Sequence, residues 1–180
     1  SHDVANLFRV CRRHPEELVK ALDLLPFSRA EFLNMLDAHL PGLTDIERAA
    51  RFLYILKSGF GGKAVTRSFA TGKERSGFFN SLKIAPLIRD LHARLATVTI
   101  ECLDYQDFIP LYDSDRALFY LDPPYWGGED DYGKNLFSRS DFECIADMLG
   151  QIKGKFLLSL NDVPEVRHIF RAFGQHRSEE

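Results

Sequence analysis

No two cysteines in this sequence stand close enough together to share a metal or to mark a disulfide framework. Cys11, Cys102 and Cys144 are the full set. They are odd in number and read as reduced thiols of a reducing compartment. The 6 histidines also lack ligand spacing, so no metal is expected. No apolar run approaches the roughly 20 residues that a membrane helix needs, and no signal peptide opens the chain. The expectation is a cytoplasmic protein without a membrane partner. Positive charge is not in excess either. The formal net charge is −3, so a surface for nucleic acid has to be a local patch. Internal repeats and low-complexity tracts are also missing.

What is present suits one folded domain. The 180 residues are 45% hydrophobic and include 15 Phe, ample for a core. The first half reads helical. Val4 to Arg13 carries Val4, Leu7, Phe8 and Val10 close to helical spacing. Pro15 suits the first turn of a second helix. Ser28-Arg-Ala-Glu31 and Thr44-Asp-Ile-Glu47 are capping-box patterns. They predict helices through Leu40 and to about Lys57. Asn80 is a cap for a helix from about Ser81 to Leu95.

Beyond it, strands and helices alternate. Val98 to Leu103, Ala117 to Leu121 and Phe156 to Leu160 read as strands. Gln106 to Leu111, Asp141 to Ile152 (opened by Ser140-Asp-Phe-Glu143) and Val163 to Phe173 read as helices. Alternation of this kind predicts an α/β fold with a parallel, doubly wound sheet. Ligands of such sheets sit at the carboxyl ends of the strands. Three strands end there in polar residues: Asp104, Asp122, and Asn161-Asp162. Each is also an ordinary turn former.

Between Lys57 and Arg89 the character differs. "SGFGGKAVTRSFATGKERSGFF" reads as loops with one hairpin. Lys57, Lys63, Arg67, Lys73, Arg75, Lys83 and Arg89 face only Glu74 in this interval, and Phe60, Phe69, Phe78 and Phe79 are interleaved. Basic loops with aromatics suit phosphate contacts and an aromatic wedge in double-stranded DNA. A solvated loop over a Phe-rich core has the same composition. Lys57, Lys63, Arg67, Lys73 and Arg75 are the candidate DNA contacts.

The most specific stretch is "ALFYLDPPYWGG", Ala117 to Gly128. Asp122 offers carboxylate acceptors. Pro123 offers a carbonyl without an N–H, and Pro124 has no N–H to give it. Tyr125 adds a flat ring. This is a rigid, acceptor-only ledge beside a stacking surface, and it fits an exocyclic amino group on an aromatic base, such as adenine N6. Two fixed acceptors favour the pyramidal nitrogen of a methyl-transfer transition state. A base inside a duplex has to be flipped out to reach the ledge.

"LFYLDPPYWGG" closely resembles motif IV of the DNA adenine-N6 methyltransferases, the Dam-like group that includes many phage and prophage enzymes. "RFLYILKSGFGGK" (Arg51–Lys63) looks like the family segment "FLYLNRxGYNG". "VTIECLDYQDFI" (Val98–Ile109) and "KGKFLLSLNDVPEVRHIF" (Lys153–Phe170) look like the segments before and after motif IV. The resemblance covers most of the chain. It implies a Rossmann-like methyltransferase fold that takes its methyl group from S-adenosylmethionine and works on DNA as a monomer, in some members beside a restriction nuclease.

Residue by residue, the resemblance implies Asp122, Pro123, Pro124 and Tyr125 as catalytic. Asp104 and Tyr105 would lie at the donor's adenine end, with Asp122 also near the donor. Asp3, in "SHDVANLF", aligns with the aspartate that holds the donor's ribose; an ordinary helix-capping aspartate looks the same. Residues 28–95 correspond to the target-recognition region, and 1–27 with 96–180 to a partial catalytic core. Trp126 and the glycines after it read as the start of a loop over the flipped base.

The glycine-rich motif with which the family begins, and its last two strands, have no counterpart here. The fold is therefore expected to be incomplete, as a fragment or a prophage remnant, with weak donor binding or none. Two alternatives stay open: an inactive remnant that only binds DNA, and a methyltransferase of RNA or cytosine N4.

Overall fold

The computed structural model of the chain describes residues 2–38, 40–59, 68–69, 79–129 and 136–174. The chain forms two compact units, Ser1–Cys102 and Leu103–Glu180.

The first unit is helical among its described residues. Its helices are α1 (His2–Arg13), α2 (Pro15–Asp23), α3 (Arg29–Asp37), α4 (Asp45–Ser58) and α5 (Ser81–Arg94). Local chemistry sets their starts. Pro15 opens α2, where its missing N–H has no bond to lose. The Ser28 hydroxyl accepts from the Glu31 N–H at 3.0 Å at the start of α3. Thr44 and Glu47 form a reciprocal box at α4. The Asn80 side chain accepts from the Lys83 N–H at 3.3 Å at α5.

Leu7, Val10, Leu18, Leu22, Phe32, Ile55, Ile84 and Ile88 build one core among these helices. Each such side chain contributes about 1.5–3 kcal/mol by leaving water. Tyr54 is fully buried within it. Its hydroxyl donates to the Pro26 carbonyl at 2.9 Å, which ties α4 to the chain before α3. Residues 1–27 and 28–95 thus share one core.

The second unit is mixed α/β. It runs α6 (Tyr105–Tyr112), β1 (Leu118–Leu121), α7 (Arg139–Leu149), β2 (Lys155–Leu158) and α8 (Pro164–Ile169). β1 and β2 pair in parallel, with Leu118 opposite Lys155 and Leu121 opposite Leu158. Parallel pairing follows from the helical crossover between them. Phe142, Ile145 and Leu149 of α7 and Val166 of α8 form the core, with Phe170 just beyond α8. Gly154 lets the strands start together: a Cβ there would stand 2.7 Å from the Ala117 carbonyl oxygen.

Several expectations change. Val98–Leu103 forms no strand. A strand exists only where a partner completes its ladder, and here the Ala96 and Val98 carbonyls accept instead from the Arg12 guanidinium, at 3.1 and 2.8 Å. The sheet of the described residues therefore has two strands, one fewer than expected. α7 starts two residues early because its box is Ser138 with Asp141, whose carboxylate accepts from the Ser138 N–H at 2.7 Å. α8 ends at Ile169, and a turn follows in which the Phe173 N–H donates to the Phe170 carbonyl at 3.0 Å. After α4, Gly59 and Phe69 pair in one antiparallel bridge, and most of the segment on which a hairpin was expected lies outside the described residues.

Candidate active site at the end of β1

β1 delivers Leu121 to Asp122 and the ledge begins where the strand stops. Asp122 is exposed, Pro123 and Pro124 are half-buried, and Tyr125 is 47% exposed. Among the described residues no N–H donates to the Pro123 carbonyl, and no hydrogen-bond donor engages the Asp122 carboxylate. Two prolines in a row bring no donors of their own. No described residue takes up these acceptors.

Below the ledge lies a cleft of about 620 Å³, within the size range of small-molecule sites. Tyr105, Phe108 and Ile109 of α6, Phe119 and Leu121 of β1, and Ile145 of α7 line it, as do Asp122, Pro123 and Pro124. A cleft lined by aromatic and aliphatic side chains together with Asp122, Pro123 and Pro124 suits a flat ring with a polar edge.

Tyr105 is fixed there. Its hydroxyl donates to Asp141 at 2.6 Å. Burial and the Asp141 carboxylate push its pKa well above that of an ordinary tyrosine. Asp104 caps α6, with its carboxylate accepting from the Gln106 N–H at 3.0 Å. Asp3 belongs to the other unit, in the first turn of α1, where the Arg48 guanidinium stands 3.4 Å from its carboxylate.

Trp126 itself is anchored, and the loop expected to follow it continues into residues 130–135, outside the described residues. The Trp126 ring packs on Phe142 (centroids 5.1 Å apart), and the Arg139 guanidinium sits 5.0 Å from its centre. Tyr125 and Gly128 close a turn, the Gly128 N–H donating to the Tyr125 carbonyl at 2.8 Å. Gly127 adopts φ +89° at its third position, a conformation that favours glycine.

Two residues at the end of the neighbouring strand hold this turn: Asn161, expected at the carboxyl edge of the sheet, and Ser159, which no local pattern marks. The Tyr125 hydroxyl lies 3.1 Å from Ser159 Oγ. The Trp126 N–H donates to Asn161 Oδ1 at 2.9 Å, and Asn161 Nδ2 donates to the Trp126 carbonyl at 3.1 Å. Asn161 reads locally as a turn former, and only the pairing of β1 with β2 brings it to Trp126.

Of the candidate DNA contacts, Lys57 is exposed in the last turn of α4. Lys63, Arg67, Lys73 and Arg75 lie outside the described residues, as do Phe60 and Phe78. Phe69 stacks with Phe27 and Phe32, at 4.9 and 5.5 Å, and Phe79 is buried against Tyr54. These two rings belong to the helical core and are no wedge. Arg89 is engaged by Glu16 at 2.7 and 2.9 Å.

Among the described residues no group of three or more His, Cys, Asp or Glu is placed to hold a metal, and no helix is long and apolar enough to cross a membrane. A search of curated proteins returns no match. Comparison with family models matches residues 1–180 to the D12 class N6 adenine-specific DNA methyltransferase model.

Proposed function

The chain belongs to the D12 class N6 adenine-specific DNA methyltransferases, and from that premise we propose that the ledge at the end of β1 is where adenine N6, flipped out of duplex DNA, receives its methyl group. The observation that carries this reading is a pair of acceptors with no donor among the described residues, the Asp122 carboxylate and the Pro123 carbonyl, on residues that line an aromatic cleft. Adenine N6 has two hydrogens and a lone pair delocalised into its ring. Asp122 and Pro123 each accept one hydrogen, which draws the nitrogen toward the pyramidal geometry in which the lone pair is free to attack. Tyr125 offers its face to the extruded base in place of the stack it has left. The proton shed by N6 leaves along its hydrogen bond to Asp122.

With S-adenosylmethionine as donor, the residues present fit its adenine end. The cleft is wide enough for a purine, and Tyr105 and Phe108 give it an aromatic lining. When bound, the donor supplies a sulfonium methyl group whose C–S bond breaks with its electrons going to sulfur. Tyr105 and Asp104 serve the adenine end in this reading, Asp122 also lies near the donor, and Asp3 holds the ribose. A Rossmann-like arrangement of the whole fold belongs to the same proposal. So does a target-recognition role for residues 28–95, with Lys57, Lys63, Arg67, Lys73 and Arg75 on DNA phosphates.

Labelled S-adenosylmethionine tests the reading on two duplexes, one with adenine and one without. Label in the first alone is the expected result. Equal label in both would point to cytosine, and binding without label would leave a DNA-binding protein that has lost transfer.

A further inference from the structure

The two prolines stiffen the ledge but give the protein no donor by which to hold it. Its orientation therefore depends on its two ends. One end is fixed by β1. The first N–H after the prolines that is hydrogen-bonded among the described residues is that of Trp126, and its partner is Asn161. The same side chain donates back to the Trp126 carbonyl. One short amide thus holds both sides of one residue, which needs a donor and an acceptor on the same group. Ser159, two residues earlier, meets the Tyr125 hydroxyl. The Trp126 ring, on Phe142 and under Arg139, fixes the far side of the turn.

We propose that Asn161 is a positioning residue for methyl transfer. By clamping the Trp126 backbone it sets the direction of the Pro123 carbonyl and the tilt of the Tyr125 ring, and Ser159 assists through the tyrosine hydroxyl. The inference rests on the reading of the ledge as the methyl-transfer site. Its physical basis is the steep dependence of rate on alignment: a displacement on the order of 1 Å can cost about 100-fold. Asn161 contributes to the geometry of the reacting groups without touching them.

Trp126 is the single tryptophan of the sequence, so its emission reads the clamp directly. The test compares N161A and N161D with the parent chain. In N161A, with far-UV circular dichroism unchanged, Trp126 emission shifts to the red and acrylamide quenches it more strongly. Transfer kcat falls by about tenfold or more, while KM for the duplex stays within about twofold. N161D keeps the acceptor for the Trp126 N–H and loses the donor, so it falls between parent and N161A on both measures. It decides the question in the same way if N161A does not fold. An active parent whose N161A variant keeps its Trp126 emission, or keeps kcat within about twofold, overturns the role of Asn161. A parent without any transfer sinks the functional reading itself, and with it the reaction that Asn161 is to serve.

Discussion

Asp122 is exposed and has no hydrogen-bond partner among the described residues. Removing its carboxylate therefore costs the fold little, and its effect belongs in the chemistry. Asp122→Ala is expected to lower transfer by about 10²–10³-fold, the usual scale for losing one preorganised polar group at a reacting centre. Duplex affinity, measured by gel shift, should stay nearly unchanged. Retention of most activity would show that the carboxylate is not part of the ledge. Tyr125 separates two contributions. Tyr125→Phe keeps the ring and loses the contact to Ser159 Oγ, worth about 1 kcal/mol for one neutral hydrogen bond. Transfer should fall by about fivefold, and a 2-aminopurine placed at the target base should still respond to binding. Tyr125→Ala removes the stacking surface as well and should lose that response.

At the scale of elements, the parallel pair of strands sets the distance between the ledge and its clamp, and Gly154 sets where the pair begins. A Cβ at Gly154 meets the Ala117 carbonyl oxygen at 2.7 Å and its Cβ at 3.0 Å. Both are backbone-bound and cannot swing away. Gly154→Ala should destabilise the protein by about 1–3 kcal/mol, as overpacking does, and a thermal melt reads the loss. A melting temperature equal to the parent's would mean that the strands separate without cost. Asp113 secures the same point by accepting from the Lys153 and Gly154 N–H groups.

Elements that depend on local chemistry were legible in the sequence. Ser28, Thr44 and Asn80 cap helices where their spacing said they would, and the ledge stands at a strand end as its residues suggested. Elements that depend on distant partners were not. Val98–Leu103 has strand composition, but its carbonyls at Val98 and nearby Ala96 go to Arg12, more than 80 positions away in sequence. The residue that clamps Trp126 lies 35 positions later. Asn161 is legible as a polar strand end, but its partner Trp126 and the part of Ser159 depend on strand pairing that no local pattern shows.

For the whole molecule, the carboxylates and thiols make predictions that need no assay of transfer. Glu47 at the start of α4 lies below the ordinary value of 4.5, chiefly because the Thr44 N–H and hydroxyl donate to it. Burial works to raise Asp141, but the Tyr105 and Ser138 donors together outweigh it and leave Asp141 below 3.8. Asp113 is lowered by the Lys153 and Gly154 N–H groups. A depressed carboxylate stabilises the fold at every pH above its unfolded value and loses that contribution as pH falls through its folded value. The melting temperature should therefore hold between neutral pH and about pH 5, and drop below the 3.8–4.5 range as these groups take up protons.

The thiols divide in the same physical terms. Burial pushes Cys11 from the ordinary 9.0 up to about 11, and the thiolate is the species that reacts. Cys102 and Cys144 are exposed. A disulfide reagent at pH 8 should titrate two thiols quickly in the native protein and the third only when the helical unit opens. Release of a raised thiol also favours unfolding at high pH, so the stability tied to Cys11 is complete below 9.0 and fades as pH rises through about 11. Cys11→Ser would test the point from the other side, since a hydroxyl in that buried place loses the apolar transfer of sulfur. Three thiols reacting at one fast rate in the native protein would mean that Cys11 is not held in the core of the helical unit.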